Sequence, residues 1–90
     1  MSDSIKGLVI KVVDGDTFVA NVTWASPNNQ FRYNSQETIR IANIDASELG
    51  TTLGLTQKQR LERLIDGKTV NLTVRSRDEY HRLVCDVRLA

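Results

Sequence analysis

The sequence predicts a small, mainly β barrel with one helix, its elements in the order βββ-α-ββ. Three observations predict it. Apolar and polar residues alternate with period two around Phe18, Ile39, Val70 and Leu83; one stretch near Leu61 has helical spacing instead; and clusters of turn-forming residues separate the stretches. Ninety residues give room for one core and not two, so residues 1–90 are expected to form a single domain.

The first strand, from Ile5 to Val13, is rich in β-branched residues and meets Asp14-Gly15, a hairpin signal. Phe18, Ala20, Val22 and Trp24 then alternate with Thr17, Val19, Asn21 and Thr23, which predicts a second strand with one strongly apolar face, ending at Trp24. From Ala25 to Gln36 the turn formers Ser26-Pro27-Asn28-Asn29 and Asn34-Ser35 predict a loop, with Phe31 and Tyr33 placed where they could extend a long hairpin. A third strand is expected from Glu37 to Ile44, ended by Asp45-Ala46-Ser47-Glu48 and a Gly/Thr-rich stretch. Thr56-Gln57-Lys58-Gln59 matches a capping box, Leu61, Leu64 and Ile65 fall at i, i+3 and i+4, and Gly67 stands where a C-terminal cap belongs. A helix is therefore expected from Thr56 to Asp66. Val70, Leu72 and Val74, then Leu83, Cys85, Val87 and Leu89, alternate on either side of the polar stretch Arg75 to Tyr80 and predict the last two strands. Five short strands with a helix between the third and fourth is the element order of the OB-fold, a five-stranded Greek-key barrel that often binds oligonucleotides or oligosaccharides.

Composition narrows the function classes. Twelve Lys and Arg against eleven Asp and Glu leave a formal +1, which supports neither a polybasic nucleic-acid wrapper nor an acidic tail, so any charge logic must be local. One Cys and one His exclude a structural zinc site and an internal disulfide. Leu8-Val9-Ile10 is broken by Lys11 long before the ~20 apolar residues of a membrane span, and the N-terminus carries Asp3 where a signal peptide wants lysines. A cytoplasmic protein with no membrane partner is expected.

Asp14, Asp16, Asp45 and Glu48 are acids at expected strand ends or turns, where a rigid barrel displays binding groups. Asp14 is explained as a turn residue, and Asp45 and Glu48 also suit a solvated loop. Asp16 is harder to explain, because the strand should have resumed there and Asp is a poor strand residue. Clustered carboxylates repel one another and imply a hard cation or nearby arginines, for which Arg40 and Arg82 are the candidates unless they are simply exposed strand charges. Arg40 and Asp45 are an odd number of residues apart, so a shared site needs a bend or bulge near Asn43.

Three ordered blocks, Val13-Asp14-Gly15-Asp16-Thr17, Arg40-Ile41-Ala42-Asn43-Ile44-Asp45-Ala46-Ser47-Glu48 and Asp78-Glu79-Tyr80-His81-Arg82, resemble the motifs of the staphylococcal-nuclease-like (thermonuclease) family. The resemblance runs from about Ile5 to Leu89. It implies an OB-type barrel acting as a calcium-dependent endonuclease on DNA and RNA, leaving 3′-phosphate ends. On that resemblance Asp16 and Asp45 correspond to Ca2+-ligating carboxylates, and Ala46 supplies a ligating backbone carbonyl. Glu48 corresponds to the residue that activates or positions the attacking water, Arg40 and Arg82 to the pair gripping the scissile phosphate, and Tyr80 to a nucleotide contact. Ala46-Ser47 stands where Thr-Pro is usual, His81 where Gly is usual and Glu79 where Lys is common. The family also continues into barrel-covering C-terminal helices where this chain ends at Ala90, so a homo-oligomer covering the bare surface is expected. The competing expectation is a catalytically silent OB module that binds single-stranded DNA or RNA, or a protein partner.

Overall fold

The computed structural model describes residues 2–44 and 50–90 and has the expected order: β1 (Asp3–Asp14), β2 (Thr17–Ala25), β3 (Gln36–Ile41), α1 (Thr52–Ile65), β4 (Thr69–Arg77) and β5 (Leu83–Leu89). The strands close into a barrel in the order β1-β2-β3-β5-β4. β3 and β5 pair in parallel, with Ile39 opposite Leu83 and Ile41 opposite Cys85. A parallel pair needs a long crossover, and α1 with β4 supplies it. This is the five-stranded OB-type barrel that the element order predicts.

The period-two alternation sorts side chains as expected on most strands. Phe18, Ile39, Val70, Leu72, Leu83 and Cys85 are each at most 1% exposed and fill the barrel. Gly7 lies among them for a steric reason: a Cβ there would sit 2.9 Å from the Ala20 Cβ and 3.3 Å from the Asn21 carbonyl oxygen. The small pair Gly7 and Ala20 lets β1 and β2 approach closely.

Trp24 departs from its expected face. Val22 pairs with Gly7 and Trp24 with Lys6, which leaves Thr23 as an extra residue on β2. That bulge reverses the side-chain alternation, so Val22 packs on the core while Trp24 is 46% exposed with the Lys6 ammonium 5.6 Å from its ring centre. Residues 26–35 form a loop and do not extend the hairpin. They are nonetheless tied down. The Asn29 side chain donates to the Ser4 carbonyl (2.9 Å) and accepts from the Ser4 N–H (2.8 Å), while the buried Asp3 carboxylate accepts from the N–H groups of Gln30 (2.9 Å) and Phe31 (3.1 Å) and from the Tyr33 hydroxyl (2.5 Å). The Tyr33 hydroxyl, with those amides, holds the Asp3 carboxyl below the usual carboxylate range.

The helix begins earlier than expected. Thr51 is its N-cap, accepting the Gly54 N–H at 3.0 Å, whereas Thr56 lies inside the helix with its hydroxyl donating to the Thr52 carbonyl. Its C-terminal end is as expected, with Gly67 at φ 72° just beyond the Asp66 cap. Ile65 is buried and Leu61 packs against the core, but Leu64 is 59% exposed, because the stripe that meets the barrel centres on the i, i+4 pair Leu61 and Ile65. Among the described residues no helix is long and apolar enough to cross a membrane.

Candidate active site

Asp16 sits in the turn between β1 and β2, not in resumed strand. The turn is not closed by a glycine of positive φ; the Asp14 carboxylate closes it instead, accepting the Asp16 N–H at 3.0 Å. The chain then presents Asp16 almost buried, 7% exposed, with Oδ1 accepting the Thr17 hydroxyl at 2.8 Å. Burial and the neighbouring Asp16 carboxylate push the Asp14 carboxyl up from its ordinary value.

Arg40 reaches the same place from β3. Its backbone lies opposite Thr17 in the β2–β3 register, on the outer face of the barrel, since its neighbours Ile39 and Ile41 point inward. Its Nη2 lies 3.4 Å from Asp16 Oδ2, and its Nη1 donates to the carbonyl of Ile41 at 2.6 Å and to that of Ile44. The second carbonyl is within reach because β3 stops at Ile41 and Asn43 turns at φ 64°, the bend that a shared site requires. Asp45, Ala46 and Glu48 lie outside the described residues.

Arg82 approaches from the β4–β5 turn, two residues before Val84, which is the register partner of Arg40 on β5. Asp78 builds this turn. Its carboxylate accepts the N–H groups of Tyr80 (3.0 Å) and Arg82 (2.9 Å) and the Arg82 Nε at 2.7 Å. Burial alone would raise the Asp78 carboxyl, but the Arg82 amide and guanidinium outweigh it and hold it below its ordinary value. The Arg82 guanidinium carbon lies 5.2 Å from the centre of the Tyr80 ring, which is 70% exposed. His81 takes φ 64°, a left-handed conformation that suits glycine.

A groove of about 500 Å³ is lined by Asp14 and Thr17, which flank Asp16 and Arg40 in the chain and the sheet, together with Tyr80, His81 and Arg82; Asp16 and Arg40 themselves do not line it. Glu37, 3% exposed, also lines it and accepts two hydrogen bonds from Arg77 at 3.1 Å each and one from the Asn34 N–H at 3.0 Å. Hydrogen bonding to Glu37 raises the Arg77 pKa. Asp78 and the Glu37–Arg77 pair are supports that the sequence reading did not single out. Asp78 was legible, since an Asp followed by its own turn is Asx-turn chemistry; Glu37 and Arg77, forty residues apart, were not. Among the described residues no three His, Cys, Asp or Glu side chains gather as a metal cluster.

No family model matches the chain. Two curated relatives, from Escherichia coli O157:H7 and Escherichia coli, are each 33% identical over 85 residues, and both are named uncharacterized endonuclease. The match covers 92% of this chain and 48% of each relative, so the chain spans about half the length of the curated relatives it matches.

Proposed function

We propose that this chain carries the active barrel of a calcium-dependent, staphylococcal-nuclease-like endonuclease that hydrolyses phosphodiester bonds in DNA or RNA. The observation that carries the reading is the meeting of Asp16 and Arg40 at one end of the barrel, 3.4 Å apart, beside a groove edged by Arg82 and Tyr80. The likeness to proteins named endonucleases supports the same chemistry. The donor types fit the proposed metal: Asp16, Asp45 and the Ala46 carbonyl offer only oxygen, which suits a hard cation. Bound calcium would act as a Lewis acid on the phosphate.

The chain's own residues divide the remaining work. Arg40 and Arg82 hold the phosphate and meet the charge that grows on its oxygens in the transition state, where a preset donor is worth most. Asp78 engages Nε of Arg82 and so holds the guanidinium that lines the groove. Glu48 orients the attacking water or takes its proton. Tyr80, exposed beside Arg82, offers its ring to a base of a single-stranded substrate. The test is incubation with single-stranded DNA and RNA, with calcium and with chelator. Cutting only with calcium is expected; binding without cutting under either condition would favour the silent binding module.

A further inference from the structure

A second groove, of about 560 Å³, shares Arg77 with the first, since that residue lines both. Its rim is formed by Phe31 and Arg32 of the loop between β2 and β3 and by Arg75 of β4. Phe31 is 70% exposed, an unusual placement for a large aromatic ring, yet its own N–H and that of Gln30 are anchored on the buried Asp3 carboxylate. The loop therefore displays the ring from a fixed backbone. Asp3 is the acid lining this groove, and its carboxylate is turned inward on those amides and the Tyr33 hydroxyl. Arg75 is matched by Asp86 and Arg77 by Glu37, which leaves Arg32 with no ion pair or hydrogen bond among the described residues. An exposed aromatic platform beside an unmatched guanidinium is the combination that holds a single strand, by stacking a base and meeting a phosphate.

We propose that this groove continues the nucleic-acid path: a single strand lying over Tyr80 and Arg82 passes Arg77, stacks a base on Phe31 and sets a phosphate against Arg32. The proposal rests on the nucleic-acid reading of the first groove and adds a second, separate contact to it. It makes affinity depend on strand length, since a short strand fills the first groove alone.

The experiment is fluorescence anisotropy with labelled oligothymidylates of about four and about twelve nucleotides, spanning the range of OB-barrel site sizes, in chelator so that nothing is cut. The longer strand should bind more tightly than the shorter. Phe31→Ala should weaken the longer strand by about tenfold, the scale of one lost stacked base, and leave the shorter unchanged, while Phe31→Tyr retains binding. Arg32→Ala should lower the slope of log affinity against log salt by about 0.7 for the longer strand, a readout independent of the aromatic variant. If both lengths bind equally, or if Phe31→Ala and Arg32→Ala leave the longer strand unaffected, the second groove is not part of the path and the first reading stands. If neither oligonucleotide binds in chelator, the second groove is not a nucleic-acid contact, and the calcium-dependent reading of the first is decided by the cleavage test.

Discussion

Arg77→Leu tests how the barrel supports the groove. Glu37 is 3% exposed and its carboxylate is met by both terminal nitrogens of Arg77 at 3.1 Å, with the Asn34 N–H at 3.0 Å as its other partner. Removing the guanidinium leaves a buried carboxylate with one neutral donor. Stranding one member of a fully buried pair costs about 3–5 kcal/mol. The Arg77 side chain is 36% exposed, so water screens part of the pair and about 2–3 kcal/mol is the expected loss. In a domain of this size that lowers the melting temperature by about 10–20 °C. Thermal and urea unfolding of Arg77→Leu, Glu37→Leu and the double variant measure it. The double variant should cost less than the sum of the singles by about 1 kcal/mol or more, because removing both partners strands no charge. A loss within about 0.5 kcal/mol for Arg77→Leu, the range of an ordinary surface substitution, would refute the reasoning.

Three other outcomes follow from the same structure. Burial pushes the Cys85 thiol from 9.0 up to about 12, so the folded state holds that proton more tightly than the unfolded chain; the resulting stability is complete below pH 9 and is lost towards pH 12 at about 1.4 kcal/mol per unit. Unfolding free energies of the wild type and Cys85→Ala between pH 8 and 10 check this, and parallel curves would contradict it. His81→Gly should stabilise the fold by about 0.5–1 kcal/mol by relieving the φ of 64°, and a loss in urea melts would show the residue unstrained. Millimolar calcium should raise the melting temperature by mass action on the native state, and Asp16→Asn should remove most of that rise; equal rises in both proteins would exclude Asp16 as a ligand.

Much of the barrel was legible because its signals are local. Val70, Leu72 and Val74 alternate without interruption, and Gly67 takes the positive φ that a helix end requires. A bend near Asn43 was expected only on the premise that Arg40 and Asp45, an odd number of residues apart, share a site; the chain does turn there, at φ 64°, while Asp45 lies outside the described residues. Trp24 and the helix start were not. The bulge at Thr23 depends on how β2 registers against β1, and Thr51 and Thr56 both precede plausible first turns; the bond from Gly54 N–H to Thr51 decides between them. Asp16 stood out as a residue ill suited to a strand and Arg40 as a candidate to offset clustered acids, and the barrel brings the two together. The inward roles of Asp3 and Glu37 depend on partners up to thirty and forty residues away, which no local pattern encodes.

The most direct measurement on the proposed site is the rate of single-stranded DNA cleavage in saturating calcium by Arg40→Ala, set beside Arg88→Ala as a control for loss of an exposed arginine elsewhere on the barrel. Losing a transition-state donor should slow Arg40→Ala by about 10²-fold or more, with Arg88→Ala within about twofold of the wild type. If folded Arg40→Ala cuts as fast as Arg88→Ala, the arginine beside Asp16 does not act on the phosphate and the proposed site is wrong.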